Sequence, residues 1–250
     1  MPFKKLHIHT ENHVAYLLLD AGARFNKLSI TTIRELKRAL ALLENTSSVG
    51  SIVISGYPGE SFAVGADIGQ MLHFTPSDAF HFAELGQSLF DQIESCSKPV
   101  IAALNGITMG GGCDLAMACD IRIAIDTLQI AHPGARLGII TGFCGTRKLP
   151  RSVGKNAARE IFMTSEPYTA REALRMGLVD RVHAGEEFWS RVRLFAERIA
   201  SYPAEALGAA KTVLNASEDT DLKNGCMLEA ALVGNLWNIP GPSAQLPEQD

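Results

Sequence analysis

Buried strands alternate with helical segments along most of this chain, and that alternation constrains the fold more than any other feature. Two continuous apolar runs, residues 51–55 (SIVIS) and 99–104 (PVIAAL), predict strands that are buried in the interior. Residues 77–97 between them carry a helical pattern, so the two strands are joined by a crossover. The pattern therefore predicts an α/β fold.

The N-terminal segment adds two strands and a helix to this pattern. Residues 6–9 and 14–20 have apolar and β-branched character and predict a hairpin. Thr32 and Glu35 have the spacing of a capping box, which predicts a helix that ends near Asn45. Three further strands are predicted at 121–125, 128–131 and 178–183, and a short helix is predicted at 112–119.

The C-terminal part of the chain is mainly helical. Thr169 and Glu172 form a second capping-box pattern, and Gly177 supplies a helix stop. The helical pattern then runs from about residue 186 to 237, with Pro203 placed to begin one helix, and residues 238–250 predict a loose tail. We therefore expect a core over residues 1–185 and a helical module over 186–250.

Composition excludes several classes of protein. Hydrophobic residues make up 46% of the 250-residue chain, which rules out disorder. The 23 basic and 27 acidic residues give a net charge of -4, which argues against a nucleic-acid or anionic-membrane partner. The uncharged apolar run at residues 99–113 is too short to span a membrane, and the N-terminus lacks the apolar stretch of a signal peptide.

The cysteines indicate the redox compartment. There are five, an odd number, with no C-x-x-C pair and no cysteine–histidine cluster at zinc spacing. This usage is typical of a reducing cytosol and predicts no structural metal. We therefore expect a cytoplasmic protein.

Nine of the 22 glycines fall between Gly106 and Gly154. The run Gly110-Gly111-Gly112 follows a predicted strand and begins a predicted helix, where free N–H groups and the helix dipole favour an anion or a developing oxyanion. A tight turn without a ligand is the alternative. The spacing matches neither dinucleotide nor phosphate-loop motifs, and the chain has no G-x-S-x-G.

A second segment of small residues, SFAVGADIGQM at 61–71, precedes NGITMGGGCDLAMACD at 105–120. Together they resemble the two oxyanion-hole motifs of the crotonase family, the enoyl-CoA hydratases and isomerases. Residues 132–154 (HPGARLGIITGFCGTRKLPRSVG) and 169–182 (TAREALRMGLVDRV) are similar to later blocks of that family. The resemblance covers roughly residues 12–200.

The resemblance implies a crotonase-like spiral of ββα units with a C-terminal helical module that assembles trimers or pairs of trimers. It implies an acyl-CoA thioester as substrate and no cofactor beyond the CoA moiety. By position, the backbone N–H groups of Ala66 and Gly111 hold the thioester oxygen. The loop containing Ala63, Asp67 and Ile68 lies along the CoA.

The acid positions of the family are only partly filled in this sequence. The first is Asp114, one methylene shorter than the usual glutamate, although it could merely complement the dipole of its own helix. The second is Gly134, which cannot transfer a proton. If this stretch is extended, His132 and Arg136 point to the same face as position 134, and a structural role for His132 remains the alternative.

Other groups near these positions are weaker candidates. Cys113 has no visible base partner, so a buried thiol is expected. The basic residues of one helix could meet CoA phosphates or form a solvated face. Nothing in the spacing singles out one of the other nearby polar groups, Asp126, Thr141 and Cys144. The basic residues considered for CoA phosphates are Arg147, Lys148, Arg151, Lys155 and Arg159.

The leading functional prediction is an acyl-CoA enzyme that stabilises a thioester enolate, most simply an enoyl-CoA hydratase. An isomerase or an acyl-CoA decarboxylase is the alternative within the family, because decarboxylation depends less on a second acid. A catalytically silent acyl-CoA-binding protein is the alternative from another class. Whether Asp114 has a working partner separates that class from the enzymes.

Overall fold

Two β-sheets form the centre of the protein. The computed structural model describes residues 2–20, 24–217 and 219–237, and the predicted tail at 238–250 lies outside these ranges. The strands are β1 (Leu6–Glu11), β2 (Val14–Leu19), β3 (Ser51–Ser55), β4 (Ser61–Ala63), β5 (Val100–Leu104), β6 (Ile107–Met109), β7 (Ile121–Ile125), β8 (Gln129–Ala131), β9 (Tyr168–Thr169) and β10 (Arg181–His183).

Helices surround the sheets and form the C-terminal end of the described chain. They are α1 (Ile30–Glu44), α2 (Ile68–Met71), α3 (Pro76–Ser95), α4 (Gly111–Ala118), α5 (Gly145–Thr164), α6 (Ala170–Met176), α7 (Gly185–Ala200), α8 (Ala204–Ala216) and α9 (Leu222–Trp237). A short 3₁₀ helix spans Pro133–Leu137.

The chain winds as a spiral that contributes one strand to each sheet in every turn. One sheet has the order β1-β2-β3-β5-β7-β10 and the other β4-β6-β8-β9. Thus β3 is followed by β4, β5 by β6, and β7 by β8, and the neighbours β3, β5 and β7 run parallel. The predicted spiral of ββα units and the N-terminal hairpin are both confirmed.

The predicted capping box at the start of α1 is wrong. The helix is capped one residue before Ile30, where the Ser29 hydroxyl accepts a hydrogen bond from the Thr32 N–H at 3.1 Å. The Glu35 carboxylate instead accepts hydrogen bonds from the N–H groups of Lys4 and Lys5, at 2.7 Å for Lys5. Long-range hydrogen bonds between Glu35 and the N-terminal segment therefore replace the local cap. The second capping box, at Thr169 and Glu172, is confirmed.

The prediction of one loop over residues 56–70 is also wrong. This segment contains the strand β4 and the start of α2, and another short strand, β6, lies between β5 and the glycine run. Elements of three or four residues show too little periodicity to be recognised in a sequence. They matter here because the two short strands lead directly into the two segments that carry the oxyanion-hole motifs.

The C-terminal helices differ in how firmly they join the core. Phe188, Val192 and Ala196 of α7 are buried against the six-stranded sheet in one hydrophobic cluster. The Lys211 amine of α8 donates to the Ile93 carbonyl at 2.8 Å. By contrast, α9 has no buried residue. The predicted boundary at residues 185 and 186 thus falls where α7 begins, and the two-unit division stays a prediction.

The described residues contain neither a membrane-spanning helix nor a cluster of metal-binding side chains. Among the described helices, none is long and apolar enough to cross a membrane. In the same residues, no group of three or more histidine, cysteine, aspartate or glutamate side chains could hold a metal ion.

Candidate active site

A mostly apolar cavity of about 370 Å³ lies where the two glycine-containing segments meet. Its wall is built from four parts of the chain: residues 64–71, the α3 side chains near Phe82, the glycine run, and residues 132–143. Ala66 and Gly111 both line this cavity, as do His132 and Gly134. The structure therefore brings the predicted donor pair and the second acid position to one space.

The N–H group of Ala66 is available to a ligand. Ala66 forms a parallel bridge with Leu28, in which the Leu28 N–H donates to the Gly65 carbonyl at 2.8 Å and the Asp67 N–H donates to the Leu28 carbonyl at 3.4 Å. Bridging through both neighbours turns the N–H of Ala66 itself to the other side of the strand. It donates no hydrogen bond within the described ranges.

The N–H group of Gly111 is free for a different reason. Gly111 is the first residue of α4, and the first hydrogen bond of this helix runs from the Asp114 N–H to the Gly110 carbonyl at 3.1 Å. The preceding N–H groups of a helix have no acceptor within it, and they lie at the positive end of its dipole. The Gly111 N–H likewise has no acceptor in the described part of the chain.

Close packing explains several glycines around these donors. Gly65 has a φ of +90°, and a Cβ there would lie 3.2 Å from the Gly111 nitrogen. A Cβ on Gly112 would lie only 2.0 Å from the Ala63 carbonyl oxygen. Any larger residue at either position would separate the two segments or obstruct the donors.

The loop predicted to lie along the CoA divides into inward and outward residues. Ala63 is fully buried and packs against the start of α4, away from the cavity wall. Asp67 caps α2 by accepting a hydrogen bond from the Gly69 N–H at 3.2 Å. Ile68 is 41% exposed and lines the cavity. Contact with a CoA group stays a prediction for all three predicted residues.

Asp114 lies behind the cavity wall, one helical turn after Gly111. It is 1% exposed, and its Oδ1 is 3.0 Å from Nε2 of His132. Its other oxygen, Oδ2, accepts a hydrogen bond from the Thr141 hydroxyl. Asp114 does have a partner, and it is the buried histidine that the sequence placed near the second acid position.

The segment around the second acid position is not extended. Residues 133–137 form a 3₁₀ helix, so the shared face expected for His132 and Arg136 does not exist. Arg136 instead forms a surface ion pair with Glu166 at 2.7 Å. Gly134 does line the cavity, but a Cβ there would lie 2.8 Å from the Ile139 carbonyl oxygen. A side chain at position 134 would therefore require the turn to distort.

The remaining polar candidates have structural positions. Burial raises the pKa of the Cys113 thiol far above its usual value, so Cys113 is an inert core residue, as expected. Asp126 lies in the turn after β7, where its N–H bonds the His183 carbonyl. Cys144 is half-buried at the start of α5 and is not part of the cavity wall.

An aromatic residue that the sequence did not single out closes the cavity. Phe143 is 4% exposed, and a Cβ on Gly111 would lie 2.9 Å from its ring. The same ring packs against Phe82 and Phe90, with centroid distances of 5.2 and 5.7 Å. No motif spacing predicts this contact, because it depends on how α3 and residues 139–143 pack.

The basic residues of α5 border a second cavity of about 620 Å³. Arg147, Arg151, Lys155 and Arg159 line it at four-residue intervals, and Arg151 is paired with Asp219 at 2.8 Å. The fifth basic residue of the cluster, Lys148, pairs with Glu94 instead. Either role considered for this cluster, phosphate contact or a solvated face, is compatible with this arrangement.

Comparisons with known proteins identify the family. Residues 9–239 match the family model described as enoyl-CoA hydratase/isomerase. The chain is 37% identical to a crotonyl-CoA hydratase of Syntrophomonas wolfei, covering 94% of this chain and 90% of that one. It is 33% identical to a short-chain-enoyl-CoA hydratase of Clostridium acetobutylicum, with coverage of 95% and 91%.

Solved structures agree with these matches. The crystal structure of an enoyl-CoA hydratase from Bacillus anthracis has a TM-score of 0.91 at 28% identity, covering 95% of this chain and 92% of that one. That of an enoyl-CoA hydratase from Thermoplasma volcanium has a TM-score of 0.89 at 31% identity, covering 94% and 93%. With its spiral fold and paired donor segments, the chain belongs to the enoyl-CoA hydratase/isomerase family.

Proposed function

We propose that this protein is an enoyl-CoA hydratase that binds an acyl-CoA thioester with its carbonyl oxygen between the N–H groups of Ala66 and Gly111. The observation that carries the proposal is that both N–H groups are free and line the same cavity. Addition of water beside a thioester carbonyl passes through an enolate, whose negative charge lies on that oxygen. Two fixed donors aimed at this charge contribute about 3–4 kcal/mol each in comparable sites.

The cavity supports a short acyl group. Its volume of about 370 Å³ is near the lower end of the ~300–1,000 Å³ typical of ligand pockets, and its wall is mostly apolar. Met71, Phe82 and Phe143 provide aliphatic and aromatic contacts. The two relatives named for crotonyl- and short-chain substrates act on acyl groups of this size.

We expect Asp114 to be the carboxylate that supports proton transfer in this site. It is the acid in this position of the motif, and it is bonded to His132 and to the hydroxyl of Thr141. Gly134 supplies no proton, so the usual pair of acids on one water is absent from this site. The loop carrying Asp67 and Ile68 then borders the pantetheine.

Decarboxylation of a malonyl-type thioester is the second candidate. It is favoured by Gly134, because loss of carbon dioxide forms the same enolate and needs the oxyanion donors more than a second acid. Isomerisation of an enoyl-CoA uses the same enolate. A silent acyl-CoA-binding protein is the outcome if no reaction occurs.

The assembly and the compartment complete the proposal. Large apolar side chains are exposed on the last helices, with Leu214 69%, Leu222 84% and Trp237 66% exposed, which suits the homotrimer or pair of trimers expected for this family. The five cysteines are all unpaired, which suits a reducing cytoplasm.

The test is a panel of enoyl-, 3-hydroxyacyl- and malonyl-CoA esters incubated with the protein in deuterated water. We expect crotonyl-CoA to give 3-hydroxybutyryl-CoA carrying carbon-bound deuterium, measured by mass spectrometry. Conversion of malonyl-type esters alone would replace the hydratase with the decarboxylase. Tight binding of CoA esters without turnover or exchange would leave only the silent binder.

A further inference from the structure

We propose that His132 is the catalytic acid–base residue of this site and that Asp114 is a positioning residue behind it. The inference rests on the proposed function, since it names the group that moves the proton beside the thioester. It reverses the simplest expectation from the motif, in which Asp114 itself meets the substrate.

The positions of the two side chains carry the first step. His132 lines the cavity that contains the donor segments, whereas Asp114 is absent from its wall and 1% exposed. Both oxygens of Asp114 are already engaged, one with His132 Nε2 and one with the hydroxyl of Thr141. A carboxylate held in this way is poorly placed to meet a substrate, but well placed to hold a histidine.

The backbone connects His132 to the donor run. The Gly110 N–H donates to the Ala131 carbonyl at 2.9 Å, which joins the residue before Gly111 to the residue before His132. The imidazole also packs against Phe162, with ring centroids 4.5 Å apart. The ring is therefore held at a defined place relative to the proposed oxyanion donor.

The hydrogen bond to Asp114 assigns the tautomer of His132. An ionised carboxylate only accepts hydrogen bonds, so the proton of a neutral imidazole lies on Nε2 and the lone pair on Nδ1. Nδ1 is buried and has no hydrogen-bond partner in the described chain. Leaving such an atom unpaired is unfavourable, and a hydrogen bond from a bound water or substrate would remove that cost.

Contact with a substrate requires a small movement, because His132 is only 2% exposed. The neighbouring wall includes residues 139–141, of which Ile140 is 81% exposed. Displacement of this segment by an entering acyl chain would open a path to Nδ1. Such tightening and opening around a catalytic group on substrate binding is common.

One histidine is sufficient for both proton transfers of the hydration reaction. Nδ1 takes a proton from water as the hydroxyl oxygen bonds to C3 of the enoyl group, and the electrons of the double bond move to the thioester oxygen. The imidazolium, stabilised by the Asp114 carboxylate, then returns the proton to C2 as the enolate collapses. The products are 3-hydroxyacyl-CoA and neutral His132.

The deciding experiment compares wild type with His132→Ala, His132→Gln, Asp114→Asn and a control, His7→Ala, whose side chain is 71% exposed on the edge strand β1. We expect both His132 variants to lose at least ~10²-fold in kcat for crotonyl-CoA hydration. Butyryl-CoA affinity should stay unchanged. Imidazole in the buffer should restore part of the His132→Ala activity, and only of that variant.

The pH profile separates a positioning role for Asp114 from a merely structural one. Asp114→Asn should lower kcat and displace the limb of the kcat–pH profile that reports the histidine, whereas His7→Ala should change neither. The proposal would be overturned if both His132 variants kept the wild-type kcat. It would also be overturned if they lost activity without rescue by imidazole and the pH profile of Asp114→Asn were not displaced. A wild type that converts no CoA ester would overturn the proposed function itself.

Discussion

The two halves of the candidate site are built on different principles. The donor half consists of backbone: a bridge at Leu28 frees the Ala66 N–H, and a helix start frees that of Gly111. The acid–base half consists of side chains on three segments, Asp114, His132 and Thr141. The first half depends on the path of the backbone, whereas the second depends on which side chains occupy these three positions.

This difference explains why the family is clearer than the reaction. In this chain the glycines beside the donors are required by close packing, with Cβ contacts of 2.0–3.2 Å at Gly65 and Gly112. The acid–base side chains carry no comparable backbone constraint.

Gly65→Ala should have the largest effect. The new methyl would sit 3.2 Å from the Gly111 nitrogen, at a φ of +90° that side chains rarely adopt. We expect kcat/KM for crotonyl-CoA to fall by roughly 10²–10³-fold, as for loss of one oxyanion donor.

The matched control for this change is Gly154→Ala, since Gly154 has a similar φ of +78° but open space around its Cβ position. It should carry the stability cost of a side chain at positive φ without the close contact to Gly111, and it should keep its turnover. Equal losses of turnover in the two variants would show that backbone strain, and not the donor, is responsible.

Asp114→Asn should reduce kcat by about 10²-fold while leaving acyl-CoA affinity within about twofold, because the carboxylate lies behind the wall and acts on the proton-transfer step. Steady-state kinetics with isothermal titration of butyryl-CoA measures both quantities. Unchanged kcat would show that proton transfer in this site does not depend on the Asp114 carboxylate.

Gly134→Glu should not create a second acid. The Cβ would meet the Ile139 carbonyl at 2.8 Å, so the 3₁₀ turn must distort, at a cost of about 1–3 kcal/mol. Gly134→Ala is the matched variant, with the same clash and no carboxylate. We expect both to unfold at similar lower temperatures and to hydrate crotonyl-CoA no faster than wild type. Faster hydration by the glutamate variant alone would contradict this account.

The smallest effect concerns the thiols. Burial raises the pKa of Cys113 and that of Cys119, the latter to about 12, so at pH 8 both stay protonated. Cys226 is exposed. Iodoacetamide applied to the native protein should therefore label Cys226 and spare Cys113, as measured by peptide mass spectrometry. Rapid labelling of Cys113 would place a reactive side chain in the donor half.

Sequence reasoning predicted the donor half from a resemblance to family motifs, and the glycine run marked one of its two segments. The run Gly110–Gly112 and the ends of β3 and β5 lie where apolar runs and small residues predicted them. It misplaced the segment after β8, because a five-residue 3₁₀ helix has no periodicity to detect. It also treated His132 and Asp114 as separate candidates, since 18 residues of sequence separation conceal a 3.0 Å contact.

Hydrogen exchange at C2 of butyryl-CoA measures enolate formation separately from the addition of water. This saturated thioester has no double bond to hydrate, so exchange in deuterated water requires only an enolate held by the Ala66 and Gly111 N–H groups and a base to form it. The account predicts deuterium at C2 with wild type and with Gly154→Ala, and strongly slowed exchange with Gly65→Ala. Tight binding of butyryl-CoA by wild type with no exchange would contradict it.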